Sequence, residues 1–168
     1  MPPYGQRLKG KGGAGMEQKG IRQIAKNREA AHEYFILEDF EAGIELSGTE
    51  VKSIRKGNVS LKDSWCTVKN GELWIRHMHI APYEQGNIFN KDPMRPRRLL
   101  MHKRQIMYLF GKIKQEGFAV IPLSLYFNGS RVKVKVALCK GKKLYDKRED
   151  MARRDAKRQI DRAMKERR

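Results

Sequence analysis

The chain has 168 residues, enough for one domain with a real hydrophobic core. Its 37 Lys and Arg against 19 Asp and Glu give a formal charge of +18 and a pI near 10.1, and self-repulsion of that size points to a polyanionic partner, nucleic acid first. No apolar run is long enough to cross a bilayer, and the Pro/Gly-rich start lacks the apolar stretch of a secretory signal, so a cytoplasmic protein with no membrane partner is expected.

Residues 1–20 carry Gly5, Gly10, Gly12, Gly13, Gly15 and Gly20 among scattered cations. They hold too little apolar surface to offset ordering entropy, so a disordered basic arm is expected. The Gly10–Gly13 run has no preceding strand and no Gly-Lys-Ser/Thr ending, which argues against a phosphate loop. Ile21 to Ala31 reads as a loop or short turn, and Tyr34-Phe35-Ile36-Leu37 as the first strand entering the core. Around Glu41, the alternation of Ala42, Ile44 and Leu46 with Glu41, Gly43 and Glu45 predicts a half-buried strand. Gly48 breaks it. Thr49 is placed to cap a short helix with Val51 and Ile54 inward, Lys52 and Arg55 together on the outer face, and Gly57 past its end. Such a corner is either a solvated, salt-bridged surface or a rigid mount for carboxylates and cations.

Leu61 to Val68 predicts a strand, Asn70-Gly71 a two-residue hairpin turn, and Leu73 to Ile80 the returning strand. Trp65 and Trp74 are expected in the core. His77 and His79 share a strand face, but zinc needs more ligands than these, and neither Cys66 nor Cys139 is near in sequence; no metal is expected. The two isolated cysteines fit buried thiols in a reducing compartment. Residues 82–98 form a long irregular stretch ending in the basic cluster Arg95, Arg97, Arg98, which predicts an RNA-contacting loop tip. Ile106, Leu109, Phe110 and Ile113 mark an inward helix over Lys103–Glu116, stopped by Gly117. Ala119 to Phe127 is a strand in which Pro122 calls for an edge or a bulge, and Asn128-Gly129 is a second hairpin turn. On the return strand Val132, Val134, Val136 and Leu138 face in, while Arg131, Lys133 and Lys135 face out. That cationic stripe serves either phosphate contact or edge protection. Beyond Cys139 lies a helix-permissive basic segment with a thin apolar stripe of Ala152, Ala156, Ile160 and Ala163 or Met164.

Short strands, tight hairpins and one buried helix predict a mainly β fold with short helices: an OB-like closed antiparallel β-barrel over 21–139. The basic tail, 140–168, is expected to be disordered when free and helical when laid along a polyanion. No catalytic constellation stands out, and no cofactor is implied. Three functions fit these features: an RNA-binding adaptor, a structural rRNA-binding protein, and a Mg²⁺ nuclease using Asp39, Glu41, Glu45 and Glu50.

Four motifs in order decide between them: Glu41-Ala42-Gly43-Ile44, Gly48 to Arg55, Asp92 to Leu100, and Lys140 to Arg148. With the basic tail behind them, the chain resembles the small protein B family, the SsrA-binding proteins of bacterial trans-translation, over roughly Ile21 to Met164. The resemblance implies a non-enzymatic protein that binds the tRNA-like domain of transfer-messenger RNA (tmRNA). It carries that RNA, alanyl-charged and with elongation factor Tu and GTP, to stalled ribosomes, where the barrel replaces the missing anticodon arm. Carried over to this sequence, Glu41, Leu100 and His102 fall where the family contacts tmRNA, and Asn27, Tyr34, Lys52 and Arg55 lie in matching segments. Gly141, Lys142, Lys143, Tyr145, Asp146, Lys147 and Arg148 match the segment that enters the decoding centre against small-subunit rRNA. The rest of the tail, with Ile160 and Met164, matches the helix that lies in the empty messenger channel.

Overall fold

A computed structural model describes residues 20–166, except for the side chains of Asn87, Leu144 and Tyr145; the expected basic arm before Gly20 lies outside the described residues. The described chain forms nine strands: β1 (Ile21–Lys26), β2 (Tyr34–Ile44), β3 (Val59–Ser60), β4 (Trp65–Lys69), β5 (Glu72–Arg76), β6 (His79–Ile80), β7 (Arg97–Leu100), β8 (Ala119–Asn128) and β9 (Arg131–Gly141). Four α-helices accompany them: α1 (Ala30–Glu33), α2 (Gly48–Arg55), α3 (Lys103–Glu116) and α4 (Leu144–Glu166).

The main sheet runs β1-β8-β4-β5-β7-β2-β9, and β9 also pairs with β8. That last pairing closes six antiparallel strands into a ring, the expected barrel, and leaves β1 outside it on the flank of β8. Inward positions at period two fill the ring: Ala42, Leu73, Ile75, Leu99, Leu125, Val134 and Val136, with Ile54 of α2 and Ile106 and Leu109 of α3 packed among them. Cys66 and Cys139 are both buried and unpaired, and burial pushes the Cys139 thiol up to about 11.

Turn chemistry explains the hairpins. Asn70 and Gly71 take φ of 53° and 74°, the two left-handed positions of a type I′ turn. The second turn sits one residue later than its Asn-Gly signal. Asn128 still pairs with Arg131, and Gly129 at φ 61° leads a Gly129-Ser130 turn. Pro122 does not mark an edge. It sits in an interior strand at a register shift against β9, where a missing N–H is tolerated.

Four other expectations are corrected. Ile21–Lys26 is a strand, because β4 pairs with β8 only at Val120 and leaves the Ser124–Asn128 half of β8 free to take another partner. Phe35, Ile36 and Leu37 do not enter the core: at 37%, 44% and 46% exposure they lie on the half of β2 that β7 does not reach, where β2 pairs with β9 alone. Trp65 is exposed and Trp74 half-buried; Trp65 stacks on His77 with ring centroids 5.9 Å apart. The run Leu61–Val68 is split by a turn in which the Ser64 N–H donates to the Leu61 carbonyl at 3.1 Å.

The largest correction concerns the 95–98 cluster. Helix α2 is capped by Ser47 rather than Thr49: the Ser47 hydroxyl accepts from the Glu50 N–H, and the Glu50 carboxylate accepts from the Ser47 N–H at 3.0 Å. The same carboxylate is buried against two arginines, with Arg97 Nε donating at 2.5 Å and Arg95 on its other oxygen. Arg97 is fully buried and also donates to the carbonyls of Met78 at 2.6 Å and Pro93 at 3.1 Å. Arg98 pairs with Glu45 at 2.8 Å. Arg97 is therefore spent inside the protein, fastening α2 and the 82–98 segment to β7, while Arg95 and Arg98 are ion-paired but keep part of their side chains at the surface.

Burial opposes ionisation of Glu50, but hydrogen bonds from Arg95, the Ser47 N–H and Arg97 outweigh it and hold the carboxyl below the usual carboxylate range. Removing one partner of such a pair strands the other charge. Arg97→Met should destabilise the fold by about 3–5 kcal/mol in urea titrations. Because the folded pKa is depressed, the stability Glu50 confers is complete above its unfolded value of about 4.3 and is lost as pH falls below that through the folded value. Wild-type urea midpoints should therefore drop steeply below about pH 4.5, and Glu50→Gln should be less stable at pH 7 and flatter with pH in that window.

Candidate nucleic-acid interface

The outward positions of β7, β2, β9 and β8 line up in rows fixed by the pairing register. One row crosses Leu100, Gly43, Lys133 and Tyr126. The next crosses Glu41, Lys135 and Ser124. Ala42, between them in β2, is buried, so Glu41 and Gly43 leave the strand on the solvent side.

Each position in these rows has a physical reason for its residue. A Cβ on Gly43 would stand 3.2 Å from the Leu100 Cβ, so glycine lets Leu100 lie across β2 while remaining 49% exposed. An exposed leucine beside cations is suited to the apolar face of a base or ribose. Glu41 accepts a short hydrogen bond from the Tyr126 hydroxyl. Burial and that carboxylate both push the Tyr126 phenol up, so it stays a neutral donor and orients Glu41. Lys135 is tied to Asp39 at 3.1 Å, whereas Lys133 stands between Gly43 and Tyr126 in the first row. His102 follows two residues beyond Leu100. Its carbonyl accepts the first amides of α3 at 3.0 and 3.1 Å, and its exposed imidazole makes no capping bond.

The structure thus brings Glu41 and Leu100 to one face, with the exposed His102 two residues further along at the start of α3. Asn27 sits at the margin of that face, where its amide donates to Pro122 O at 3.1 Å and its backbone N–H to Leu123 O at 2.7 Å. Tyr34 is further away, opposite Gly141, and packs against Ala30, Ile121 and Ala137. Lys52 and Arg55 are exposed on α2, and Lys52 Nζ lies 5.4 Å from the Tyr83 ring centroid. Sequence reading did not single out Gly43 and Tyr126. A glycine inside an alternating strand is the signal for Gly43, since it marks a close approach; Tyr126 had none, because its role rests on a partner 85 positions away.

The segment after β9 is built differently. Gly141 ends the strand, and Lys142 folds back. Its Nζ donates to Ala31 O at 2.9 Å, forms a short ion pair with Asp150, and lies 4.9 Å over the Phe35 ring. The Lys142 pair holds the Asp150 carboxyl below the usual range. The Asp146 carboxylate accepts from the Lys143 N–H at 3.3 Å and so helps start α4. Lys147 reaches Glu33 at 3.5 Å, and Arg148 is exposed. The side chain of Tyr145, which the resemblance assigns to the decoding-centre segment, lies outside the described residues. From Met151 to Glu166 every residue of α4 is exposed, including Ile160 at 57% and Met164 at 66%.

Among the described residues, no three His, Cys, Asp or Glu side chains converge to hold a metal ion, and no helix is long and apolar enough to cross a membrane. The carboxylates considered for Mg²⁺ have separate partners: Lys135 for Asp39, Tyr126 for Glu41, Arg98 for Glu45, and Arg95 and Arg97 for Glu50.

Comparison with known proteins meets the same architecture. The sequence model of the SmpB protein family matches residues 24–166. The chain is 60% identical over 144 residues to the SsrA-binding protein of Carboxydothermus hydrogenoformans, covering 86% of this chain and 97% of that protein. It is likewise 60% identical over 151 residues to the SsrA-binding protein of Acetivibrio thermocellus, covering 90% and 98%. A solved chain described as "tmRNA-SmpB: a journey to the center of the bacterial ribosome" is 44% identical and superposes with a TM-score of 0.62, over 77% of this chain and 93% of that one. A mainly β ring followed by a basic helix, matched along nearly its whole described length at this identity, belongs to the SmpB family.

Proposed function

We propose that this chain is a tmRNA-binding protein of trans-translation. It binds the tRNA-like domain of tmRNA with the barrel face around Glu41, Leu100 and His102. It carries the alanyl-charged RNA, with elongation factor Tu and GTP bound to that RNA, to ribosomes stalled on truncated messages, where the barrel occupies the place of the absent anticodon arm. The reading includes a cytoplasmic location and no catalytic step of the chain's own.

The observation that carries it is the division of the molecule into two exposed surfaces with different chemistry. The barrel face is rigid, mixed polar and apolar, and oriented by fixed pairs such as Tyr126 to Glu41. It suits shape-specific contact with a folded RNA. The tail, 140–168, carries 13 Lys and Arg against six Asp and Glu, and every described residue of its helix from Met151 onward is exposed, with Arg154 reaching the Ala31 carbonyl at 3.5 Å. A basic helix of this kind suits a phosphate-lined groove, and messenger RNA competes with it for the same groove. Occupancy of the messenger channel is thereby read electrostatically. Gly141, Lys142, Lys143, Tyr145, Asp146, Lys147 and Arg148 then enter the decoding centre, with Ile160 and Met164 further along the channel. In the free protein the segment beyond Asp150 is proposed to lose its helix, since so little is buried along it.

Gel-shift titration of tmRNA against ordinary tRNA at near-physiological salt tests this reading. Wild type should prefer tmRNA, and a truncation ending at Gly141 should bind tmRNA within about threefold of wild type yet support no tagging on stalled ribosomes. Leu100→Ala and Glu41→Gln should each weaken tmRNA binding roughly tenfold while leaving the melting temperature within about 3 °C. Equal binding of both RNAs, lost on truncation, would mean a general RNA adhesive or an rRNA-binding structural protein instead.

A further inference from the structure

On another part of the barrel, an open groove of about 460 Å³ lies between Arg55 at the end of α2 and the β8–β9 turn, lined by Gly20, Arg22, Arg55, Phe127, Gly129 and Ser130. We infer that it is a second RNA subsite, in which Arg22 and Arg55 clamp one backbone phosphate and the Phe127 floor takes the attached sugar or base. This deepens the RNA-binding reading above and depends on it.

Four observations support the assignment. No carboxylate lines the groove. The 95–98 arginines are all committed to Glu50 or Glu45, whereas Arg22 and Arg55 are exposed and face the same concavity. Arg22 stands opposite Phe127 in the β1–β8 register, so its stem leaves the sheet on the side of that ring and its guanidinium reaches the rim. The far wall is fixed: Gly129 N–H donates to Gly20 O at 2.8 Å, with both glycines at positive φ, 61° and 95°. Two guanidinium forks lining one concavity can meet the oxygens of one phosphodiester, which two unconnected surface charges cannot. The volume is that of a small-ligand site, enough for about one nucleotide unit.

A double-mutant cycle on the full-length protein tests the shared phosphate. Fluorescence anisotropy would measure tmRNA and tRNA affinity for wild type, Arg22→Gln, Arg55→Gln, the double variant, and Lys69→Gln on the β4–β5 hairpin. Both arginine variants should lose about fivefold or more for whichever RNA occupies the groove, and the double variant should depart from the product of the single losses by at least about threefold. Lys69→Gln should combine multiplicatively with either. Strict multiplicativity of Arg22→Gln with Arg55→Gln, or losses no larger than that of Lys69→Gln, would overturn the groove. The two readings fail separately: a wild type with no preference for tmRNA over tRNA refutes the proposed function, while coupling between the arginines, or its absence, still decides the groove on either RNA.

Discussion

Glu50 accepts hydrogen bonds from Arg95, from Arg97 and from the backbone N–H of Ser47, all within a nearly dry site. Through Ser47 it caps α2. Through Arg97, whose other nitrogens hold the Met78 and Pro93 carbonyls, it ties that helix to the chain before β6 and to the irregular segment before β7. A buried ion pair is poor evidence for stability by itself, since desolvation offsets much of its attraction. Its effect here is on arrangement: a long, Pro-rich connection and a short helix, neither with much apolar surface, acquire one defined position each.

The consequences reach both exposed surfaces. With α2 pinned, Lys52 and Arg55 project from a fixed helix, and the wall of the Arg22–Arg55 groove is set. With β7 pinned, Leu100 is held across Gly43 and His102 opens α3 beside it. The cations that look most exposed in sequence hold the scaffold, and the surface that suits RNA is built from a leucine, a glycine, a glutamate and a tyrosine, with a few lysines. Net charge brings a polyanion near; a fixed pattern of mixed groups is what distinguishes one folded RNA from another.

Local rules made much of this legible. The Lys103–Glu116 helix followed from its i, i+3, i+4, i+7 apolar positions and a terminal glycine, and the alternation in β9 followed from period two. Ring closure was suggested by hairpins and short strands. Several of the misses share a cause, a partner distant in sequence; the split of Leu61–Val68 and the Ser47 cap are local exceptions. Ile21–Lys26 is a strand only because β8 has an unpaired half. Phe35 to Leu37 look like core residues until β7 is seen to pair with β2 only at Gly43 and Ile44. Arg97 reads as a surface cation until Glu50, 47 positions away, is placed beside it. Tyr126 and Glu41 are separated by 85 positions, and no spacing rule could have joined them.

The central claim is that the barrel face reads the RNA while the tail is left for the ribosome. Hydrogen–deuterium exchange of the full-length protein, free, with tmRNA, and with tmRNA plus ribosomes stalled on truncated messages, tests it most directly. The account predicts that tmRNA alone slows exchange in β7 and the start of α3 and leaves 151–166 unchanged, and that the stalled ribosome then protects 151–166. Protection of the tail by tmRNA alone, with β7 and α3 unaffected, would contradict it.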